Sequence, residues 1–221
     1  MDKKRAQYLN ELRKDEFRVT IFGSARVKKG NRLYEDIYSL GKTLAQRGID
    51  IVTGGGPGLM AAASNGHKEG RKNNHAHAIG LEIELPNAQK TNEGVDVMRK
   101  FQRFSNRLDN FMLLSNIIVV TPGGVGTLLE LFYSWQLVQK NKIATIPIII
   151  LGEDYKGLIK WLKEYQIKRK YFDRKDLDLL YYCKNAKEVM KIIENHYSKY
   201  KKQSKRDFKQ KFTSRLKRYF G

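Results

Sequence analysis

Three runs of apolar, mostly β-branched residues in this chain each break into a turn of small residues and then give way to helical periodicity. Arg18-Val19-Thr20-Ile21-Phe22 leads into Gly23-Ser24-Ala25-Arg26. Asp50-Ile51-Val52 leads into Thr53-Gly54-Gly55-Gly56-Pro57-Gly58, and Asn116-Ile117-Ile118-Val119-Val120 into Thr121-Pro122-Gly123-Gly124-Val125-Gly126-Thr127. Short apolar runs without polar alternation read as strands buried on both faces. The segments that follow are helical: Ile37, Leu40, Leu44 and Ala45 recur along residues 34–47, and Gly48 suits a C-cap. Pro57 fits the first turn of a helix carrying Leu59, Met60, Ala62 and Ala63, and Leu128, Leu131, Phe132, Trp135 and Val138 mark a third helix. Strand, turn and helix in repetition call for an α/β fold: a doubly wound parallel sheet with right-handed crossovers and helices on both faces. The three turns then meet at the carboxyl edge of the sheet, where such folds bind ligands.

The remaining segments extend this pattern. Residues 76–81 are expected as a third strand, 86–96 as a polar loop over the site, and 98–114 as a helix burying Phe101, Phe104, Leu108, Phe111 and Met112. Residues 147–151 read as a strand, 155–165 as a helix, 179–183 as an edge strand and 186–197 as a closing helix. Trp135 and Trp161 lie on apolar helical faces and are expected in the core, and Cys183 is expected to be packed rather than reactive. The domain reading is a charged N-terminal helical arm over 1–16 with little to bury, a body over 17–198 and a basic tail over 199–221.

Charge and cysteine content narrow the function classes. Lysine and arginine number 43 against 23 acidic residues, a formal charge of +20, which raises anionic partners as candidates. The tail holds ten cations against one anion, Asp207, with Phe208, Phe212, Leu216 and Tyr219 at helical spacing. It is expected to dock on the protein or its partner subunit or to be disordered, with weak nonspecific binding to polyanions, an anionic membrane or RNA, as the other reading. A lone cysteine excludes an internal disulfide, the first residues do not resemble a secretory signal, and the longest apolar run, 143–151, is too short for a bilayer span. The expected location is cytoplasmic.

The stretch from Pro122 to Glu130 carries the chemistry. Gly123, Gly124 and Gly126 keep side chains away from the backbone, and the following helix start offers free N–H groups and a positive dipole end to an anion. Thr127 adds a hydroxyl. Glu130, three residues on, shares the helix face that looks toward this cradle. The spacing of a P-loop is absent. Residues 54–58 do not fit the dinucleotide fingerprint, and no acidic residue ends the next strand to hold a ribose, so one phosphate and one ribose fit better than a dinucleotide. His75 and His77 alternate, but no cysteine or carboxylate joins them at a useful spacing, so no metal site is expected.

These three turns, with Leu59-Met60 after the second and Leu128-Leu129-Glu130 after the third, resemble the Lonely Guy family, Rossmann-like nucleoside 5′-monophosphate phosphoribohydrolases long labelled lysine decarboxylases. The resemblance covers roughly residues 17–195 and rests on the pattern P-G-G-x-G-T-x-x-E. Phe104 and Arg107 match the family's F-x-x-R-K, with Leu108 in place of lysine; Ala61 and Ser64 replace the glutamate and asparagine of the longer members. The resemblance implies Arg107 and Glu130 as catalytic residues. It implies substrate and phosphate contacts from Gly23, Ser24, Arg26, Gly54, Gly55, Gly56, Gly58, Met60, Pro122, Gly123, Gly124, Val125, Gly126 and Thr127. The implied substrate is a purine nucleoside 5′-monophosphate, AMP or a cytokinin riboside 5′-monophosphate among them. The implied assembly is a homodimer, and no cofactor is called for. Cleaving an N-ribosidic bond builds positive charge on the sugar, which an ionised Glu130 would stabilise. No motif for a pyridoxal lysine is present. Two other readings stand beside this one: a non-catalytic carrier of a nucleotide or phosphorylated cofactor on the same fold, and a nucleic-acid-binding protein using the basic surface.

Overall fold

The computed structural model describes residues 3–71, 75–84, 90–143 and 146–203. The strands are β1 (Arg18–Phe22), β2 (Asp50–Thr53), β3 (Ala78–Ile83), β4 (Val97–Phe101), β5 (Ile117–Val120), β6 (Ile148–Leu151) and β7 (Leu180–Cys183). The helices are α1 (Lys3–Arg13), α2 (Arg32–Gln46), α3 (Leu59–Gly70), α4 (Phe104–Leu114), α5 (Val125–Gln139), α6 (Lys156–Trp161), α7 (Arg174–Leu177) and α8 (Ala186–Gln203). A 3-10 turn precedes α6 and a π turn, Leu162–Ile167, prolongs it. The strands form one sheet in the order β4-β3-β2-β1-β5-β6-β7, every pair parallel. The chain winds outward from β1 to β4, then crosses back to β5 on the other side of β1. The strand order therefore reverses between β1 and β5, where the first and third turns lie side by side.

Alternate strand residues feed two cores. Val19, Ile21, Ile51, Ile117, Val119 and Ile149 pack with Ile37, Leu40 and Leu44 of α2, Leu59 and Ala62 of α3, and Val189 and Ile193 of α8. Phe22, Val52, Ile79, Ile118, Val120 and Ile148 pack with Phe111 of α4 and Leu131 and Trp135 of α5. The central strands are buried at every position, and apolar side chains fill most of them, with Arg18, Thr20, Asp50 and Thr53 the buried polar members. On the first face α2 and α3 meet backbone to backbone. A Cβ on Gly66 would stand 2.0 Å from the Tyr38 carbonyl oxygen, and one on Gly41 would stand 2.2 Å from that of Ala63.

The helix expected over 98–114 is two elements. Val97–Phe101 is a strand in register with β3 from Ile79↔Val97 to Ile83↔Phe101, and only Phe104–Leu114 is helical. As an edge strand β4 pairs on one side only. Its polar middle, Arg99-Lys100, tolerates the exposure, and the free donors and acceptors of β3 override the local helical spacing. Phe104, expected to be buried, is 50% exposed at the start of α4. The third strand also runs two residues past its expected end, and His75 and His77 precede it rather than lie within it.

The N-terminal arm buries more than its composition implied. Tyr8 is 2% exposed, meets Phe101 edge to face at 6.4 Å and donates to Asn110 Oδ1 at 2.6 Å, so α1 lies across β4. Trp161 is 47% exposed, contrary to expectation: α6 is short and turns this ring outward. Trp135 is in the core and donates through Nε1 to the Asp176 carbonyl at 2.8 Å. Cys183 is buried, and burial pushes its thiol up to about 11. The closing helix continues past residue 197 to Gln203, holding Tyr197 and Tyr200 against Phe17 at 5.2 Å each. The striped tail segment 204–221 lies outside the described residues. Among the described residues no helix is long and apolar enough to cross a membrane.

At the amino edge of the sheet, the fold supplies the carboxylates that sequence spacing did not. Ligand atoms of Glu11, Glu16, Asp50 and His77 lie within 4.8 Å of one another. Arg18 supplies the cation that these carboxylates face, with Nε 3.4 Å from Asp50 Oδ2 and Nη2 3.4 Å from Glu16 Oε2. Burial and the Glu16 carboxylate push the Asp50 carboxyl up to about 8, against the pull of Arg18.

Candidate active site

The three turns are stitched together by backbone bonds. Ser24 N donates to the Pro122 carbonyl at 3.1 Å, and the Ser24 carbonyl accepts from Leu59 N at 2.9 Å. Gly23 is small because a Cβ there would stand 2.1 Å from Thr121 Oγ1. The Ser24 hydroxyl accepts from Arg26 N at 3.1 Å, and Arg26 itself is exposed. In the second turn Gly55 and Gly58 adopt positive φ, +74° and +68°, where a side chain would be strained. Asn92 reaches from the polar segment after β3 and donates its Nδ2 to the carbonyls of Gly55 and Gly56, each at 2.9 Å. Asn92 of the expected loop thus lies against the second turn, and residues 86–89 of that loop lie outside the described residues.

The third turn is built differently. Gly123, Gly124, Val125 and Gly126 are exposed, with Val125 84% so. A Cβ on Gly124 or Gly126 would meet nothing within 4 Å, so packing does not require glycine there. Their smallness instead keeps the approach to the α5 start open. No side chain caps that helix, and its first N–H groups have no intrahelical acceptor. Thr127 is buried beneath Gly123, whose Cβ would fall 2.2 Å from its Oγ1.

Arg107 and Glu130 face each other beside this opening. Arg107, in the first turn of α4, donates Nε–H to the Leu81 carbonyl at 2.7 Å and lies over the Phe111 ring at 5.0 Å. Its Nη1 stands 3.4 Å from Glu130 Oε1. Both side chains are nearly buried, at 12% and 10% exposure. Burial raises the Glu130 carboxyl to about 7 even with Arg107 beside it, and burial lowers the Arg107 guanidinium, which Glu130 and Glu82 hold up. Gly54 and Met60 belong to the same cluster: a Cβ on Gly54 would stand 2.5 Å from Arg107 Nη2 and 2.7 Å from Met60 Sδ. The structure thus brings together Arg107, Glu130, Gly54 and Met60, and sets the Gly123–Thr127 turn at the head of the helix that carries Glu130.

One acidic residue here escaped the sequence reading. Glu82, one residue before the end of β3, is 8% exposed and packs against Gly55. The expectation that no acid ends the strand after the glycine turn is therefore corrected. It depended on ending that strand at Leu81; pairing with β4 carries it to Ile83.

A protein-family model described as "Possible lysine decarboxylase" matches residues 60–193. The chain is 29% identical over 140 residues to the pyrimidine/purine nucleotide 5′-monophosphate nucleosidase of Escherichia coli strain K12, a match of 61% of this chain and 30% of that protein. The chain thus spans less than a third of this larger relative. It is also 29% identical over 195 residues to the cytokinin riboside 5′-monophosphate phosphoribohydrolase LOG3 of Arabidopsis thaliana, covering 84% of this chain and 86% of the plant protein. Among solved structures, a molybdenum cofactor binding protein from Rippkaea orientalis superposes with a TM-score of 0.60 at 20% identity, over 81% of this chain and 96% of that one. The molybdenum cofactor carrier protein of Chlamydomonas reinhardtii gives 0.60 at 21% identity, over 83% and 99%. These two likenesses are of fold.

Proposed function

This chain belongs to the Lonely Guy family, and on that premise we propose that it hydrolyses the N-glycosidic bond of a nucleoside 5′-monophosphate, releasing the free base and ribose 5-phosphate. The observation that carries the reading is the buried Arg107–Glu130 pair, 3.4 Å apart, on the helix pair flanking the uncapped, glycine-lined start of α5. A 5′-phosphate at that helix start anchors the substrate away from the reacting bond. As the C1′–N bond lengthens, positive charge develops on the ribose. Ionised Glu130 stabilises it, orients a water toward C1′ and takes that water's proton as the new C–O bond forms. Arg107 keeps Glu130 in register and directs Nη2 over Gly54 toward the substrate. The base departs with the bonding electron pair and gains a proton from solvent, to which Glu130 returns the proton taken from the attacking water.

The carboxyl at about 7 supports this chemistry, because a group poised near neutrality changes protonation readily in the working range. The family description's lysine chemistry finds no such support. Lys100, whose Nζ lies 3.9 Å from Glu82 Oε2, is half exposed. A carrier, the alternative on this fold, would bind nucleotide without turnover. The exposed Val125, Leu129 and Phe132 of α5 give a second copy an apolar face beside the site, so the active form is proposed as a homodimer. The test is incubation with a panel of nucleoside monophosphates and the parent nucleosides, with chromatography of free base and ribose 5-phosphate. Turnover of AMP well above adenosine supports the reading. Stoichiometric binding with no product, or equal cleavage of the two, removes it.

A further inference from the structure

Among the described residues, Glu82 is the one buried acid at this edge that the proposed reaction leaves without a task. Its residue surface is 8% exposed. Among the described residues its Oε1 has no hydrogen-bond partner. Lys100 approaches only the other oxygen, at 3.9 Å, beyond hydrogen-bond reach. Arg107 feels the charge of Glu82, but its bonds go elsewhere: Nε to the Leu81 carbonyl and Nη1 toward Glu130. A buried carboxylate oxygen without a donor is costly, and a donor brought by a ligand would satisfy it.

The glycine turn bounds this carboxylate. Gly55 lies directly against the carboxylate, and a Cβ there would fall 3.0 Å from Cγ and 3.1 Å from Oε1. The φ of +74° holds the Gly55 backbone in a turn that a side chain would disfavour, and Asn92 fastens that turn from outside. The order of parts is a glycine turn, a helix, then a strand with an acid at its carboxyl end. In dinucleotide folds an acid at that place bonds a ribose hydroxyl.

We propose that Glu82 is a specificity-determining residue whose free carboxylate oxygen accepts a hydrogen bond from the ribose 2′-hydroxyl of the nucleotide, so that the site selects ribonucleotides over 2′-deoxyribonucleotides. This rests on the reading that a nucleoside monophosphate occupies the site. Removing a hydrogen bond to a charged group should lower the ratio of kcat/KM for AMP over dAMP roughly ten- to a hundredfold. Comparing variant with wild type cancels the different intrinsic reactivities of the two sugars. Glu82→Ala removes the acceptor. Glu82→Asp keeps the charge facing Arg107 but withdraws the oxygen, so both should lose the ratio. The AMP to IMP ratio should stay within about twofold, since the base is not what Glu82 reads. An unchanged AMP to dAMP ratio in either folded variant overturns the proposal, as does a collapse of the AMP to IMP ratio. If wild-type protein cleaves no nucleotide, the hydrolase reading fails separately. The same ratio is then taken from calorimetric Kd values for AMP and dAMP: loss of preference in the variants still supports Glu82, whereas no binding of either nucleotide removes it.

Discussion

Gly54 lies directly beneath Arg107, close enough that a Cβ on the glycine would stand 2.5 Å from the guanidinium Nη2. The other near atom is Met60 Sδ at 2.7 Å, so both obstacles are ends of flexible side chains. Gly54→Ala should therefore fold with a Tm near wild type while displacing Arg107. A misplacement of about 1 Å in a catalytic group costs about a hundredfold. The expected outcome is a drop of that order in kcat with an unchanged melting curve; a large loss of Tm would show that the turn, not the arginine, needs the glycine.

The role proposed for Glu130 predicts a pH profile. Its carboxyl is raised to about 7 in the folded protein, and the mechanism uses the ionised form. The value of kcat/KM should rise about tenfold per pH unit below 7 and level off above it. Glu130→Gln should lose about two to three orders of magnitude in kcat and flatten this limb, with nucleotide binding retained. Near-normal turnover in that variant contradicts the assigned role.

Gly66 presents the opposite case to Gly54. A Cβ there would meet the Tyr38 carbonyl oxygen at 2.0 Å, backbone against backbone, with no side chain to yield. Gly66→Ala should push α3 off α2 and cost about 1–3 kcal/mol, as overpacked cores do. Urea unfolding measures it, and an unchanged midpoint refutes the tight contact.

The amino-edge charge group makes stability depend on pH. The Asp50 carboxyl has an ordinary value of 3.8 and is raised to about 8 in the fold. The folded state therefore holds this proton more tightly than the unfolded chain. Its contribution is full below about pH 4, declines above that and is lost as pH rises through 8. Asp50→Asn keeps an acceptor for His77 N, which bonds Oδ1 at 2.8 Å, and removes the titration. The melting temperature of the variant should fall less than that of wild type between pH 5 and 8; parallel curves would refute the role of Asp50.

How far the sequence could be read depended on whether local or distant partners decide a segment. Arg18–Phe22 was legible to the residue because Val19, Thr20, Ile21 and Phe22 are β-branched or apolar and run straight into a turn of small residues. The turn at 123–127 was legible as a strand-to-helix connection because glycines end an apolar run and helical spacing follows them. Residues 98–101 were not, since Phe101, Phe104 and Leu108 satisfy helical spacing while pairing with β3 decides the outcome. The same pairing hid Glu82 by lengthening β3 past Leu81. The docking of Tyr8 on Phe101 and Asn110 joins residues about a hundred positions apart, which no local pattern records.

The position of α1 across β4 also bears on how this chain behaves among its copies. A parallel sheet ends in two edge strands, each with unpaired backbone groups able to recruit another strand. At one edge Tyr8 fastens a helix over β4, and Arg99 and Lys100 add charge. At the other, β7 exposes Tyr181 and Tyr182 at 43% and 40%. The two margins of the sheet are thus unequally defended. Trimming α1 would free a five-residue β-template, so the same helix that caps the core acts as a guard against strand-to-strand aggregation.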